Sequence, residues 1–487
     1  MRKTLALFLT VFIIALSLYT CVSASVNSEK ENVTIHENYI YGDKRFAEKV
    51  EVNFKAQYYD NLLWDINYNI AENKAETKFS LYRDGIPNEY DATNYLTLTG
   101  GFWNYSTSGF LGEESFFSEA FKDLVKDAKP YEEVKKTISV SDYLDYYPLS
   151  VEINFPNKYS LDSSLGYYET DSYNLVSALS DFFKIPVLKN HLLTISATVN
   201  ESGNIFQSGS ESVASAEENS IYDEFSIYGS SVITEDKCLI YFSNKSYMGK
   251  NVDTSKIPGG YGIYCLPYSY TEEGRRVTFD YSALSNVFSV ESNHEITQLK
   301  LSADGKSVYM VTEENEECYL TVIDTENYAV LQKIKVSTNK NQSAGFGYIE
   351  NSFAVINLYH ENLQSRFNLY TIDNNGLFVK EFTALTHHED KIDGSENIRY
   401  PGSDIYEHSN IDVEWDGENL YVTNDFDESV GMVRDRNAGF SLSVYNKYGL
   451  QFFGNYYTSL TSGYDGMYGS SYYVMLSRND KIDITLK

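Results

Sequence analysis

Residues 299–336 read LKLSADGKSVYMVTEENEECYLTVIDTENYAVLQKIKV, and this stretch constrains the fold more than any other. It holds four short β-type runs parted by turn residues. The polar turn Ala303-Asp304-Gly305-Lys306 precedes a strand at 307–312. A second strand at 319–323 stops at Asp324, and a run at 329–336 closes the unit. Four antiparallel strands in about 40 residues form a sheet of very short connections, the repeating unit of a β-propeller blade.

The unit recurs. Trp415-Asp416-Gly417-Glu418-Asn419-Leu420-Tyr421-Val422-Thr423-Asn424 aligns with the ten residues from Ala303 to Thr312, each a glycine turn followed by a strand carrying tyrosine. The later strands repeat too: Leu320-Thr321-Val322-Ile323-Asp324 matches Leu369-Tyr370-Thr371-Ile372-Asp373 and Leu442-Ser443-Val444-Tyr445-Asn446. Each ends on Asp or Asn, whose side chain favours a tight turn by bonding nearby backbone. A looser copy runs through 237–243, 262–268 and 276–281.

The phrase over 301–336 and the literal Tyr421-Val422-Thr423-Asn424 resemble the YVTN repeat of bacterial, WD40-like, seven-bladed β-propellers, which reads roughly SPDG-x-x-x-YVTN … VSVID-T-x-x-x-x-V. Ala303 stands where that family has proline, and Met310-Val311-Thr312 where it has Val-Thr-Asn. The resemblance spans 224–487 and is strongest over 296–336 and 411–446. It implies a mainly β fold, a β-propeller of about seven or eight four-stranded blades. Such propellers host lactonases, surface-layer proteins, redox enzymes and pure binding platforms, so the resemblance implies an architecture and not a reaction.

Composition excludes some partners. A formal net charge of −30 argues against nucleic acid, which needs clustered Lys and Arg, and against docking on anionic lipid headgroups. The 44 tyrosines suit pleated surfaces, and tyrosines outside a core suit recognition of sugars or peptides. Arg2 and Lys3 precede an apolar run over 5–18, and Val22-Ser23-Ala24 offers a cleavage site, so 1–24 reads as a secretory signal peptide. Cys21 follows Leu18-Tyr19-Thr20, a poor context for lipidation. The expected location is therefore outside the cytoplasm, secreted or at the outer face of the cytoplasmic membrane. Any membrane attachment would run through an N-terminal anchor. Beyond Cys21 the chain has Cys238, Cys265 and Cys318. Cys238 and Cys265 fall on neighbouring strands of one blade, leaving either a disulfide between them or buried free thiols.

The region 25–200 reads as β-rich with a helical insertion, either the first blades or a separate α+β domain. Strands are expected at 50–58, 62–69 and 77–82, around the turn Glu72-Asn73-Lys74, and at 95–104. Phe116, Phe117, Ala120, Phe121, Leu124 and Val125 recur at helical spacing, predicting a helix over 113–126. Pro130 opens a second predicted helix through Lys136, and a third is expected over 173–183. The serine- and glutamate-rich 201–220 reads as a loop before the blades of 221–487. Because propellers close by pairing terminal strands, the N-terminal region is expected to donate a strand or a blade.

No catalytic motif stands out: there is no Gly-x-Ser-x-Gly elbow, phosphate-binding glycine loop or His-Glu-x-x-His. His387-His388-Glu389-Asp390, with Asp393 and Glu396, is the densest group of metal-ligand types, and a second is Asp425 with Asp427. Of these, His387, Asp390, Asp425 and Asp427 are the candidate metal ligands. No cofactor is expected unless these acidic loops take Ca²⁺. His294, His360 and His408 lie near strand ends, where propeller enzymes place channel residues. Tyr456, Tyr457, Tyr464, Tyr468, Tyr472 and Tyr473, among glycines and serines, form the candidate ligand-binding surface. The expected function is a non-enzymatic binding or scaffold module for an envelope protein, peptide or glycan. The alternative is a propeller-fold hydrolase, lyase or lactonase with a site in the central channel.

Overall fold

The structure, a computed structural model, describes residue 12 and residues 30–58, 61–82, 95–101, 117–155, 172–189, 191–212, 226–245, 251–270, 277–340, 342–359, 366–385, 411–425, 436–465, 470–472, 474–476 and 482–487. The chain divides into two compact units, Met1–Tyr90 with Gly345–Lys487, and Asp91–Ala344. Among the described residues no helix is long and apolar enough to cross a membrane.

The stretch that led the sequence reading is a single sheet of the Asp91–Ala344 unit. Its strands Glu295–Leu301, Ser307–Glu314, Glu317–Asp324 and Val330–Lys335 lie in that order, each antiparallel to the next. Gly305 takes φ 71°, a conformation that disfavours a Cβ, and the Asp304 carboxylate accepts the N–H of Lys306. Asn315 and Glu316, with φ of 53° and 69°, make the hairpin turn with the hand that matches strand twist. The strand-ending residues act as expected. Asp324 Oδ1 accepts from Glu326 and Asn327 N–H, Asp373 Oδ1 from Asn375 and Leu377, and Asn446 Oδ1 from Tyr448.

In the same unit a larger sheet runs Val277–Phe279, Gly262–Tyr270, Lys237–Phe242, Ser226–Ile233, Tyr95–Gly101 and Leu149–Asn154, with Ser285–Ser289 also on Gly262–Tyr270. Tyr95–Gly101 pairs directly with Ser226–Ile233, so 102–225 intervenes in sequence between two adjacent strands, and from it Leu149–Asn154 returns to the same sheet. Among its described residues this stretch carries two α-helices. Ser118–Val125 buries Ala120 and Phe121, and Phe117 just before it, on one face, as their spacing predicts. Ser172–Phe182 buries Leu175 and Leu179. Both feed one core with Ile138, Leu193, Ile195, Phe242 and Tyr264.

Two expectations fail here. The helix expected from Pro130 to Lys136 is instead a turn and a strand. Glu132 N–H donates to Lys129 O, Tyr131 takes φ 65°, and Glu133–Ser139 pairs with Leu192–Val199. A full ladder with a neighbouring strand outweighs the local helix-start signal. The loop expected at 201–220 is also interrupted. After a turn in which Asn200 Oδ1 accepts the N–H groups of Ser202 and Asn204, Ile205–Ser212 forms the third strand of that sheet. Serine is poor in β propensity, but the ladder with Leu192–Val199 pairs the backbone groups on the inner side of the segment.

The other unit joins the two ends of the chain. Val50–Tyr58 pairs with Leu62–Asn69, which pairs with Lys74–Leu81. The free side of Val50–Tyr58 is taken by Val474–Leu476 and Asp483–Leu486. In return, Ile35–Gly42 adds the outermost strand to the sheet of Ile411–Trp415, Leu420–Asp425, Arg436–Asn446 and Gly449–Asp465. The expected strand donation thus occurs in both directions. Gly42 sits so close to Gln451 that a Cβ would lie 1.9 Å from its carbonyl oxygen. Val52, Phe54, Ile66, Tyr68, Phe440, Phe452, Tyr456 and Ile484 share the core beneath. Ser343–Ile349, Phe353–Tyr359, Arg366–Ile372 and Phe378–Leu385 make a further four-stranded sheet.

Candidate functional site

Of the sequence-predicted site residues, the structure describes Asp425, Tyr456, Tyr457, Tyr464 and Tyr472, together with His294. His387, Asp390, Asp427, Tyr468 and Tyr473 lie outside the described residues, as do His360 and His408. Asp425 ends the strand Leu420–Asp425, its backbone opposite Phe440. Tyr464 and Tyr472 are strand residues whose backbones face Ser471 and Gly463. Tyr457 is half-buried, with His36 and Gly439 as cross-strand neighbours. Tyr456 departs from the expected surface. It is fully buried, its ring stacked on Phe440 at 4.9 Å and 13°, and its hydroxyl donates to Glu37 Oε1 at 3.3 Å. The period of two that turns Tyr457 outward turns Tyr456 into the core.

His294, in the Asp91–Ala344 unit, lies with Nε2 3.7 Å from Glu291 and Nδ1 3.9 Å from Glu314. Beside it Lys245 Nζ pairs with Glu295 at 2.8 Å and Glu313 at 3.3 Å, tying the ends of two sheets together. Cys238, Cys265 and Cys318 are free and buried. Cys265 is opposite Leu239 and Cys238 opposite Leu266, so the first two thiols point to opposite faces of the sheet and cannot bridge. Burial, with the neighbouring Cys265, holds the Cys238 thiol far above its ordinary range, and burial raises Cys318 to about 12. Among the described residues no His, Cys, Asp or Glu group is arranged to hold a metal ion.

One cluster does bring chemistry together, and it lies where edge strands of three sheets meet in the unit of the chain ends. Asp412 and Glu414 are two residues apart on Ile411–Trp415, hence on one face of that strand. The buried Tyr348, near the end of Ser343–Ile349, places its hydroxyl 3.0 Å from Asp412 Oδ1 and 3.0 Å from Glu350 Oε1. From the C-terminal strand, Ile484 N–H donates to Asp412 Oδ2 at 2.6 Å. The Tyr348 ring stacks on Phe353 at 6.0 Å, which fixes where the hydroxyl points. Burial, followed by the charges of Asp412 and Glu350, drives the phenol well above its usual range. Burial, then Asp412, then Glu350, also raises Glu414, so its carboxyl holds a proton more readily than in water. Among the described residues no lysine, arginine or histidine pairs with any of the three carboxylates. Contrast Asp416, a few residues on, which Lys49 neutralises while Tyr421 donates to it at 3.1 Å.

The sequence carried a signal for this site, since Asp-Val-Glu-Trp directly precedes the repeat's Asp-Gly turn. Among 69 acidic residues that pair had no contrast, and only folding brings in Tyr348 and Glu350.

Successive small antiparallel sheets, two of them four-stranded, with chain ends exchanged between two others, define a mainly β protein of the β-propeller class with a helical insertion. No protein-family model matches the sequence, and no curated protein matches it. Among solved structures, a Bacteroides fragilis protein provisionally assigned as a 6-phosphogluconolactonase aligns at 9% identity and TM-score 0.29, over 89% of this chain and 98% of its own. The periplasmic gluconolactonase of Pseudomonas aeruginosa aligns at 10% identity and TM-score 0.26, over 89% and 98%. The β-propeller domain of Myceliophteria thermophila Cps50 (Swd1) aligns at 8% and 0.23, over 54% and 81%. At such scores these likenesses carry no argument, and the class rests on the strand pairing.

Proposed function

We propose that this protein is an extracytoplasmic, YVTN-like propeller that binds a basic segment of an envelope protein or peptide and catalyses no reaction. The observation that carries this reading is the carboxylate cluster of Glu350, Asp412 and Glu414, which pairs with no cation among the described residues. Burial and the charges of Asp412 and Glu350 raise the proton affinity of Glu414, a cost that a cation relieves, and a lysine or arginine side chain supplies one. The net charge of −30 adds long-range attraction for such a partner. The sequence at 1–24 supports the compartment.

The test is calorimetric titration of the full-length mature chain with a hexalysine peptide and a hexaglutamate control. Lysine peptide binding that weakens about tenfold in Glu414→Gln, or 1.4 kcal/mol, is expected. Equal binding of both peptides, or an unaffected variant, overturns the reading. Glu414→Gln should at the same time raise the melting temperature at neutral pH, because it removes repulsion. The sign follows from linkage: a carboxyl raised in the folded state costs stability above its folded pKa. That cost fades as pH falls toward the unfolded value, so the variant's advantage must shrink on acidification.

A second reading, a hydrolase, lyase or lactonase, draws on the same residues. Asp412 is held by two donors while Glu414 is pushed toward its acid form, a split that hydrolytic sites use. Turnover of a lactone or glycoside panel, lost in Asp412→Asn, would replace the binding reading.

A further inference from the structure

Residues 373–377 form the turn between Arg366–Ile372 and Phe378–Leu385, and Asp373 organises it. Its N–H donates to Leu377 O at 2.9 Å, its carbonyl accepts Gly376 N–H at 2.9 Å, and its Oδ1 accepts the N–H groups of Asn375 and Leu377. The same turn holds the only Asn-Gly pair in the sequence, Asn375-Gly376. Asn375 is exposed. Among the described residues its side-chain amide makes one hydrogen bond, Nδ2 to Asp373 Oδ2 at 3.5 Å, the far limit for such a contact. The amide is therefore free to swing onto the following peptide, where glycine has no Cβ to obstruct it. The two equivalent turns of the repeat lack this pairing. There an aspartate precedes glycine, and its carboxylate is a poor electrophile that is already engaged. Asp304 accepts from Lys306 N–H and the Ser302 hydroxyl, and Asp416 from two N–H groups, Lys49 and the Tyr421 hydroxyl. The other asparagines of the hairpin differ as well. Asn374 precedes a residue with a side chain, and Asn368 is buried, accepting from Thr383 and donating to Tyr370.

We propose that Asn375 is a site of spontaneous covalent modification, at which the native turn deamidates and loosens as the molecule ages. The Gly376 backbone nitrogen attacks Asn375 Cγ. An N–Cγ bond forms, the Cγ–Nδ2 bond breaks, and the Gly376 amide proton departs with the side-chain nitrogen as ammonia. Water then opens the cyclic imide at either carbonyl, leaving aspartate or isoaspartate at position 375. The attack requires Gly376 N–H to leave Asp373 O, so it proceeds from the transiently opened turn. Either product sets a new carboxylate beside that of Asp373. Isoaspartate also adds a methylene to the backbone inside the turn, so the bonds between Asp373 and Leu377 no longer span it. The inference is independent of the binding reading.

The experiment incubates the folded full-length mature chain in mildly alkaline buffer at physiological temperature and follows the tryptic peptide Phe367–Lys380 by fragmentation mass spectrometry. The expected result is the mass rise of an amide nitrogen exchanged for oxygen at Asn375, ahead of Asn374 and Asn368 in the same peptide. Asn375→Gln, whose longer side chain would have to close a larger ring, should lose the rise. Methyl transfer by an isoaspartate methyltransferase should mark the isoaspartate fraction. Aged wild type should melt a few degrees below fresh protein, and below Asn375→Asp, which carries the charge without the added methylene. An Asn375 that stays unmodified in the folded chain, whether or not the urea-unfolded chain converts, overturns the site, as does earlier conversion at Asn374 or Asn368. Conversion at Asn375 with an unchanged melting temperature overturns the loosening.

Discussion

The sheet of Glu295–Lys335, with four strands, and the sheet built on Val50–Tyr58, with five, have opposite origins. The first is one uninterrupted run of chain, every turn marked by Asp, Asn or Gly at the place where backbone needs it. The second takes its last two strands from residues more than four hundred positions away. Local turn chemistry therefore reveals a blade only when its strands are consecutive. Where a blade is completed from a distance, sequence shows three strands and a deficit. The same limit hid the insertion. Tyr95–Gly101 and Ser226–Ile233 are neighbours in space, and nothing in either strand records the other. Glu133–Ser139 and Ile205–Ser212 became strands because Leu192–Val199 lies between them, a fact no local window holds.

The comparison breaks most sharply by deletion. Removing 474–487 leaves Val50–Tyr58 with an open edge and takes the buried Ile482 and Ile484 out of the core. At about 2–5 kcal/mol for each buried isoleucine, the unit of the chain ends should melt roughly 10 °C or more lower. Removing 30–42 strips an outer strand without a fully buried side chain, plus the single buried Val33, and should cost fewer degrees by the same scale. Equal losses, followed by thermal unfolding, would mean that the two exchanged strands are equivalent and that closure is not the weak point.

Next comes a pair of adjacent tyrosines. Tyr456→Ala should cost about 3–5 kcal/mol, because the ring is sealed between Phe440 and Tyr68. Tyr457→Ala, on the outward face, should stay below about 1 kcal/mol. Chemical denaturation of both variants decides it. A mild Tyr456→Ala would return that residue to the surface cluster in which the glycine- and serine-rich context had placed it. The context was misleading because the strand Gly449–Asp465 runs straight through it, and in a strand the period of two overrides composition.

The repeat itself can be tested at its two equivalent turns. Asp416 accepts the N–H groups of Glu418 and Asn419, pairs with Lys49 and receives the Tyr421 hydroxyl. Asp304 accepts the N–H of Lys306 and the hydroxyl of Ser302, and it is far more exposed. Asp416→Ala should therefore cost about 1–2 kcal/mol and Asp304→Ala about 0.5–1, as turn- and cap-forming acids do. Burial pushes both carboxyls up, but the contacts with Lys49, Asn419 and Glu418 at Asp416, and with Lys306 and Ser302 at Asp304, outweigh it and hold both below the ordinary range. A depressed folded pKa means that the stabilisation is present above the unfolded value and is lost as pH falls. The gap between wild type and either variant should therefore close in acid. The aligned turns were legible because each is one short segment. The difference between them was not, because Lys49 comes from the far end of the chain.

The smallest expected effect is none at all. Cys238 and Cys265 sit on adjacent strands, and adjacency alone would permit a bridge. Register forbids it: a slip of one residue puts the two sulfurs on opposite faces, and the chain would have to turn a strand over to join them. Cys318 is held elsewhere, its thiol donating to Gln342 O at 2.8 Å. Reducing agent should leave the melting temperature unchanged. All three thiols should resist a water-soluble disulfide reagent until denaturant is added, because burial disfavours the thiolate that reacts. A fall in melting temperature on reduction would require Cys238 and Cys265 to face the same side. It would shift by one residue the register between Lys237–Phe242 and Gly262–Tyr270, in the sheet that 102–225 interrupts. The thiols thus report whether a blade interrupted over 102–225 keeps the alignment that an uninterrupted blade gets from its turns.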